Sequence, residues 1–330
     1  MQRPRITIVT PSLNQAQYIE QTIDSVLSQN YPNLEYIVID GGSKDESVQV
    51  IKKYEKHLTY WESQKDRGQS HAINKGIFRA TGQLFNWLNS DDWLAPYALA
   101  TVAEAFANPE VTLYSGNIQY FEQEQQKLHP PEGARMDEDL AKFIAYGAQV
   151  QPCTFYKLSF VQRVGGLNEQ LHFCMDKELY LKYLLLNGTK GIYTNQEVIA
   201  YFRQHQEAKS ANHIPFLEET ALIYWGLANF LSLGKKAKIL AKLVEDKSSL
   251  KNYQFSVPGL SDQIKSEDYD SIFAHFIYAL AEGWYYTKHY YKARKVFMKI
   301  DTKHLPPETA RLARIYKRDS LLGMLGFLNK

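Results

Sequence analysis

Cysteine is scarce: Cys153 and Cys174 are the only two in 330 residues. That excludes a disulfide-built scaffold, and their separation excludes a CxxC redox or zinc motif, so a reducing cytoplasm is the expected setting. Long apolar runs are missing too, since no window reaches the roughly 18 uninterrupted apolar residues that a membrane-spanning helix needs. The apolar stretch inside "MQRPRITIVTPSLN" lasts only about four residues and reads as a first strand, not a signal peptide. Excess charge is absent: 38 Lys and Arg against 36 Asp and Glu leave +2, which argues against nucleic acid as an obligatory partner. There is no GxGxxG and no P-loop, because Gly41-Gly42 is too short to be either, so a Rossmann-type cofactor is not expected.

The composition that remains, 45% hydrophobic and 22% charged, is that of a globular protein with a sizeable core. A chain this long exceeds what one core comfortably supports, so a domain of about 200 residues plus a smaller one is expected. Charge divides unevenly: from Phe216 onward there are 18 Lys and Arg against 12 Asp and Glu, whereas residues 1–215 carry 20 against 24. The carboxyl-terminal part is the basic end.

Strand and helix signals alternate through the first hundred residues, which predicts an α/β fold with helices flanking a mostly parallel sheet. "RITIVTPS", "LEYIVID", "LTYWESQ" and "QLFNWLNSDD" read as strands. Helical spacing predicts a helix over Gln15–Asn30 that stops near Pro32. Ser43 and Glu46 stand at capping-box spacing before a second helix, and "GQSHAINKGIFRAT" predicts a third that ends on Gly82 as a C′ glycine. Pro96 opens a fourth. Residues 122–138, with Pro130-Pro131, read as a surface excursion. "DKELYLKYLLLNG" is a strong helix and "KGIYTNQEVIAYFRQH" a closing strand. Beyond residue 214 only helical periodicity remains, giving an expected division into a sheet domain at 1–214 and a helical domain at 215–330. Within the latter, Tyr278–Ile300 resembles a tetratricopeptide unit, with Ala281 and Gly283 small enough for close helix packing.

Chemistry is expected at the carboxyl edge of the sheet, where open α/β folds bind ligands. Asp91 and Asp92 are adjacent carboxylates at the end of the fourth strand, and such a pair is costly unless something positive lies between them; a divalent cation bridging phosphates is one answer. The plainer alternative is that Asp91 caps the helix near Pro96. Thr10, Ser12 and Asn14 follow the first strand, and Asp40 ends the second with a carboxylate able to accept from a base or a ribose hydroxyl. Together these make a nucleotide-diphosphate site a better reading than three separate turns.

Here a resemblance becomes explicit. "ITIVTPSLNQAQYIEQTIDSVLSQNYPNLEYIVIDGGSKDES" followed by "DRGQSHAINKGIFRATGQLFNWLNSDDW" resembles the nucleotide-sugar-binding half of family 2 glycosyltransferases, which have the GT-A fold. "QPCTFYKLSFVQRVGGLNEQLHFCMDKELYLKYL" and "YFRQHQEAKS" are similar to the acceptor half, so the likeness spans about residues 5–212 in the same block order. The resemblance implies that Thr10, Pro11, Ser12 and Asp40 hold the nucleoside, with Gly41 standing where many members carry a second acid. It implies that Asp66, Gln69, Asn74 and Lys75 flank the nucleoside and diphosphate, although Lys75 could instead be solvated. "NSDD" stands at the DXD motif with Asn89 in place of the first acid, so one of Asp91 and Asp92 would touch the ribose and the other, Asp92 being favoured, would hold Mn²⁺ or Mg²⁺. Asp176 falls where inverting members place the general base, with helix capping as the alternative. Arg203 and His205 resemble an element that approaches the diphosphate and metal. Trp87 and Trp93 flank the acids as candidate sugar-stacking rings or as core.

The function so implied is an inverting, metal-dependent transfer of a sugar, of hexosyltransferase type, from a nucleoside-diphosphate sugar, UDP-sugar favoured, to a glycan or lipid-linked acceptor. The basic carboxyl-terminal helices and "LLGMLGFLNK" suggest a protein of the cytoplasm that rests on the membrane face. Two rivals have distinct marks. A nucleotidyltransferase would need a basic glycine-rich loop after strand one, which "TPSLNQAQ" lacks; a decayed transferase serving as scaffold would draw on Asn89 and Gly41 but leaves Asp176 unexplained.

Overall fold

The computed structural model describes residues 3–133, 136–137, 139–146, 149–206, 208–260 and 268–325. The chain separates into two compact units, one of residues 1–135, 148–183 and 189–211, the other of residues 136–147, 184–188 and 212–330.

The first unit is built on a single mixed sheet. Strands β1 (Ile6–Ser12), β2 (Leu34–Asp40), β3 (Tyr60–Ser63) and β4 (Leu84–Trp87) run parallel in the order β3-β2-β1-β4. The near-continuous apolar runs of β1 and β2 reflect burial on both faces, as a parallel sheet covered by helices requires. The sheet then continues through β9 (Thr154–Lys157), antiparallel to both β4 and β6 (Leu113–Glu122), to β10 (Ile192–Gln204), which pairs with β6 in parallel, and ends on β5 (Trp93–Leu94). The short strands β7 (Lys127–Leu128) and β8 (Glu132–Gly133) fold back on β6, so the excursion over residues 122–138 is partly a hairpin. Helices α1 (Ile19–Leu27), α2 (Ser47–Lys53), α3 (Gln69–Arg79), α4 (Ala98–Ala105) and α6 (Leu158–Arg163) join these strands, with α7 beginning at Met175 and running to Asn187.

Several local readings change. Helix α1 starts at Ile19, four residues later than the periodicity suggests, because Asp45 accepts from the Ala16 N–H and Ser43 from the Asn14 N–H, fixing the preceding residues as a loop. The capping box does not form: Ser43 turns back to Asp40, and Asp45 instead accepts from both the N–H and the hydroxyl of Ser47. Nor is Gly82 a C′ residue, since α3 ends at Arg79 and Ala80 is extended. Its backbone passes so close to β1 that a Cβ would lie 2.3 Å from Thr7 Oγ1, and its N–H serves the buried Glu35.

The second unit is helical among its described residues: α5 (Leu140–Tyr146), α8 (Ile214–Phe230), α9 (Gly234–Ala241), α10 (Ser249–Asn252), α11 (Asp268–Tyr286), α12 (Tyr290–Phe297) and α13 (Pro307–Met324). Helices α11 and α12 form a hairpin with Ala281 and Ala293 fully buried. Gly283 lets α8 approach, for a Cβ there would meet Leu217 at 2.4 Å. Helix α5, taken from the middle of the sequence, belongs to this unit: the Tyr224 hydroxyl donates to the Ala145 carbonyl, and Tyr146 to Glu282.

Candidate active site

Parallel β1, β2 and β4 all end on one edge, which brings the loops after Ser12, Asp40 and Trp87 side by side. The loops after β1 and β2 are stitched together: Asn14, in the left-handed region at φ 52°, accepts from the Lys44 N–H, while Gly41 donates to the Ser12 carbonyl. Thr10 is buried against the Tyr36 hydroxyl, and Pro11 is buried beside it. Ser12 differs, because its hydroxyl oxygen is buried without a hydrogen-bond partner, an orphan of the kind a ligand satisfies.

Asp40 is given another task than the nucleoside contact expected of it. Its carboxylate is fully buried and accepts from the Gly42 and Ser43 N–H groups and from the hydroxyls of Ser43 and Ser63, which uses the oxygens internally. The half-buried carboxylate at this edge is that of Asp66, which comes from the loop after β3 and accepts from the Gly68 N–H. A Cβ on Gly41 would sit 2.8 Å from Asp66 Oδ2, so the glycine found where a second acid was expected is what lets Asp66 in.

A second group gathers after β4. Asp91 Oδ2 lies 3.2 Å from His205 Nε2, with Asp91 one-quarter exposed. Asp92 is 1% exposed; its Oδ1 accepts from the Arg203 N–H, its Oδ2 lies 3.5 Å from the Asn89 amide, and burial together with the neighbouring Asp91 charge pushes its carboxyl well above the usual range. The geometry therefore favours Asp91, not Asp92, as the carboxylate able to meet a cation. Asn89 accepts from the Gln69 amide at 2.8 Å, and Gln69 in turn accepts from Lys209 Nζ, which also donates to the His172 carbonyl. Lys209 escapes motif reading; its one signal is that it lies one helical turn beyond His205 in the same loop.

Three residues expected to meet the ligand are engaged by protein groups in this structure. Arg203 is 6% exposed, with Nε on the Asp91 carbonyl and its terminal nitrogens on Gln123 and Gln21. Its guanidinium carbon is 4.7 Å from the ring centroids of both Tyr18 and Trp93, and burial lowers its pKa. It is a strut behind the acids. Lys75 pairs with Glu62 at 2.7 Å, and Asn74 is buried, bonded to both backbone groups of Leu167 and to Glu169. Trp87 is core at 2% exposed, and Trp93 stacks on Tyr201.

Asp176 lies half-buried in the first turn of α7, where one of its oxygens accepts from the Lys177 N–H at 2.7 Å. The loop before it is pinned to α3, through Ser70 on the Leu171 carbonyl and Arg67 on Glu169. Together with Lys209 on His172, these bonds tie the approach to Asp176 to the start of α3, where Gln69 reaches the Asn89 loop.

As for a metal, the Asp91 carboxylate suits Mn²⁺ or Mg²⁺, while the His205 imidazole is a softer donor that fits Mn²⁺ better than Mg²⁺. Among the described residues no group of three or more His, Cys, Asp and Glu forms a cage. A cation here would complete its shell with phosphate oxygens from a substrate.

A mostly parallel, curled mixed sheet flanked by helices, with an acidic loop and a histidine at its carboxyl edge, is the arrangement of a GT-A glycosyltransferase. The family model "Glycosyl transferase family 2" matches residues 7–176, and the chain belongs to that family. An uncharacterized glycosyltransferase of Rickettsia prowazekii is 26% identical over 298 residues, covering 84% of this chain and 91% of its own length. Two solved structures share the fold: the mannosyltransferase PcManGT from Pyrobaculum calidifontis, in complex with GDP-Man and Mn²⁺ (TM-score 0.55, 16% identity, 99% of this chain and 88% of that one), and S. aureus TarS 1-349 in complex with UDP-GlcNAc (TM-score 0.54, 16% identity, 96% and 89%).

Proposed function

We propose that this glycosyltransferase is inverting and metal-dependent, moving a sugar from a nucleoside-diphosphate sugar, UDP-sugar favoured, to a hydroxyl of a glycan or lipid-linked acceptor in polysaccharide biosynthesis. The observation that carries it is the Asp91–His205 pair, 3.2 Å apart at the carboxyl edge of the sheet. Nucleotide sugars in two structural relatives, one with Mn²⁺, support the same reading.

In this scheme Thr10, Pro11, Ser12 and Asn14 shape the nucleoside pocket, with Asp66 presenting a carboxylate there. Gln69, Asn89 and Lys209 line the diphosphate, where the lysine brings positive charge. A divalent cation held by Asp91 and His205 would supply the charge that stabilises the departing diphosphate. Asp176 receives the proton of the acceptor hydroxyl while its oxygen attacks the anomeric carbon. The bond from that carbon to the phosphate oxygen breaks, its electron pair leaves with the diphosphate, and one displacement inverts the centre.

The test is a thermal-shift series with nucleoside diphosphates and nucleotide sugars, with and without Mn²⁺. UDP with Mn²⁺ should raise Tm in the wild type and in Asp92→Asn, and fail to do so in Asp91→Asn. If UDP and GDP both leave Tm unchanged, or Asp91→Asn responds as the wild type does, the donor site is misplaced.

The division into a transferase domain at 1–214 and a helical domain at 215–330, with α5 and residues 184–188 of the first stretch belonging to the helical unit, is part of the same reading, as is a cytoplasmic location at the membrane face. Among the described residues no helix is long and apolar enough to cross a membrane. Helix α13 instead exposes Leu321, Leu322, Met324 and Leu325 beyond the exposed Arg311, Arg314 and Arg318, a mixture suited to an anionic interface. Residues 326–330, the remainder of the apolar tail, lie outside the described residues. Equal liposome flotation by the full chain and a truncation before Ser320 would remove the membrane from the scheme.

A further inference from the structure

The sheet ends at β5, and beside that strand lies a groove of about 940 Å³ that shares no lining residue with the donor site. Its walls are Trp93, Tyr97, Phe121 and Tyr201, closed by the end of α1 on one side and by the hairpin residues Gln126 and Leu128 on the other. Not one of its lining residues carries a charge. Aromatic faces joined to amides and hydroxyls, without ionic groups, form the surface that complements an uncharged polyhydroxy ligand: the rings cover the C–H faces of sugars, and the amides bond their hydroxyls.

The ring wall is set in advance. Trp93 stacks on Tyr201 at 5.0 Å and 13°, and meets Phe121 edge-on. Arg203 lies against the same indole and holds the backbone of Asp91, so this wall is the back of the metal loop. The rim is strained as well. Of the six non-glycine residues in the left-handed region among those described, three line this groove: Asn30 (φ 46°), Tyr97 (φ 64°) and Gln126 (φ 50°). For a bulky residue such as tyrosine that backbone is a true outlier, and strain of this kind collects at ligand sites. Its result is a ring that stands 79% exposed at the mouth.

We propose that this groove binds a neutral saccharide segment of the acceptor, several sugar units removed from the hydroxyl that is glycosylated. The proposal rests on the acceptor being a glycan. It gives the enzyme a hold on the growing chain that leaves the donor loops free, and it makes long acceptors better substrates than short ones through KM.

The experiment titrates the full-length protein by calorimetry with neutral oligosaccharides of three to six units, built from glucose, galactose, mannose or N-acetylglucosamine, and then assays transfer to short and long acceptors. Tyr97→Gly keeps the left-handed backbone and relieves its strain, so it should melt no lower than the wild type while binding the oligosaccharides at least tenfold more weakly. Leu128→Glu, which places a charge at the rim, should do the same. Both should leave Mn²⁺-dependent nucleotide stabilisation unchanged and erase the KM advantage of long acceptors. The proposal is overturned if no oligosaccharide binds at 10 mM concentration, or if binding survives both substitutions. Should the oligosaccharides bind in the groove while no saccharide accepts sugar from any donor, the glycan-acceptor reading fails instead.

Discussion

Replacing Arg203 by methionine separates a strut from a ligand contact. The guanidinium donates to the Asp91 carbonyl, Gln123 and Gln21, and lies against the rings of Tyr18, Trp93 and Phe121. Methionine leaves the Asp91 carbonyl without its donor in a partly dry site, a loss of about 1–2 kcal/mol. Gln21 is exposed and Gln123 half-exposed, so both turn to water at little cost. Losing a desolvated cation from its ring cage removes roughly 1–2 kcal/mol more. The backbone bond from residue 203 to Asp92 is kept. The total, about 2–4 kcal/mol, corresponds to a fall of roughly 5–15 °C in Tm for a unit of this size. Differential scanning fluorimetry reads this directly, and the Mn²⁺-dependent UDP shift should be reduced because Asp91 is no longer held. Arg203→Lys should not rescue either effect, since an ammonium cannot reach three acceptors in a fork. A methionine variant that melts within about 2 °C of wild type yet loses nucleotide binding, with lysine restoring it, would refute the strut and return Arg203 to the diphosphate.

Asp176→Asn should lower kcat by about 10²–10⁴, the usual worth of a general base, while the nucleotide-induced Tm shift stays at the wild-type value; near-normal turnover would leave Asp176 a helix-start residue. Lys75→Ala breaks only its pair with Glu62, which is 11% exposed, and should cost about 1–3 kcal/mol with donor KM changed less than about twofold; a tenfold rise in KM would put the lysine back on the phosphates. In the second unit, burial raises the carboxyl of Glu282, which accepts from the Tyr278 and Tyr146 hydroxyls. A raised folded pKa means that its stabilising contribution is complete below the unfolded pKa, near 4.3, and fades as pH rises through the folded value. Glu282→Gln does not ionise; it keeps one hydroxyl bond as acceptor and reverses the other, its amide N–H donating to the tyrosine oxygen, so its stability relative to wild type should climb between pH 4 and 7 in urea titrations. A difference that is flat, or that falls, contradicts the sign.

Strands β1 and β2 were legible because strands buried on both faces leave apolar runs, and the helical end because strand signals simply stop; the lateral order of the strands came only from the structure. The place of α5 was not legible either, since Leu140–Tyr146 reads as one more short amphipathic stretch and only its contacts with Tyr224 and Glu282 assign it to the second unit. At the site, the sequence named the loops that the sheet brings side by side but could not sort acids left partly exposed from acids spent on the protein. Asp91 and Asp92 are equivalent as letters; the deeper burial of Asp92, and the N–H of a residue more than a hundred positions away, decide between them. Asp40 looked free because its four donors include Ser63, which arrives from another strand. Lys209 went unseen because nothing in its neighbourhood predicts that Gln69 would be waiting for it.

The fit between Gly41 and Asp66 has a consequence for how this site can vary. One volume is contested by two stretches of chain, so a side chain at 41 and a carboxylate from 66 exclude each other. Gly41→Asp alone should damage the pocket, Asp66→Gly alone should empty it, and the two together should restore an acid to the same place, a non-additive pair of the kind that contacting residues produce. Such a rescue would mean that the site requires a negative charge at a point in space, whichever residue number delivers it.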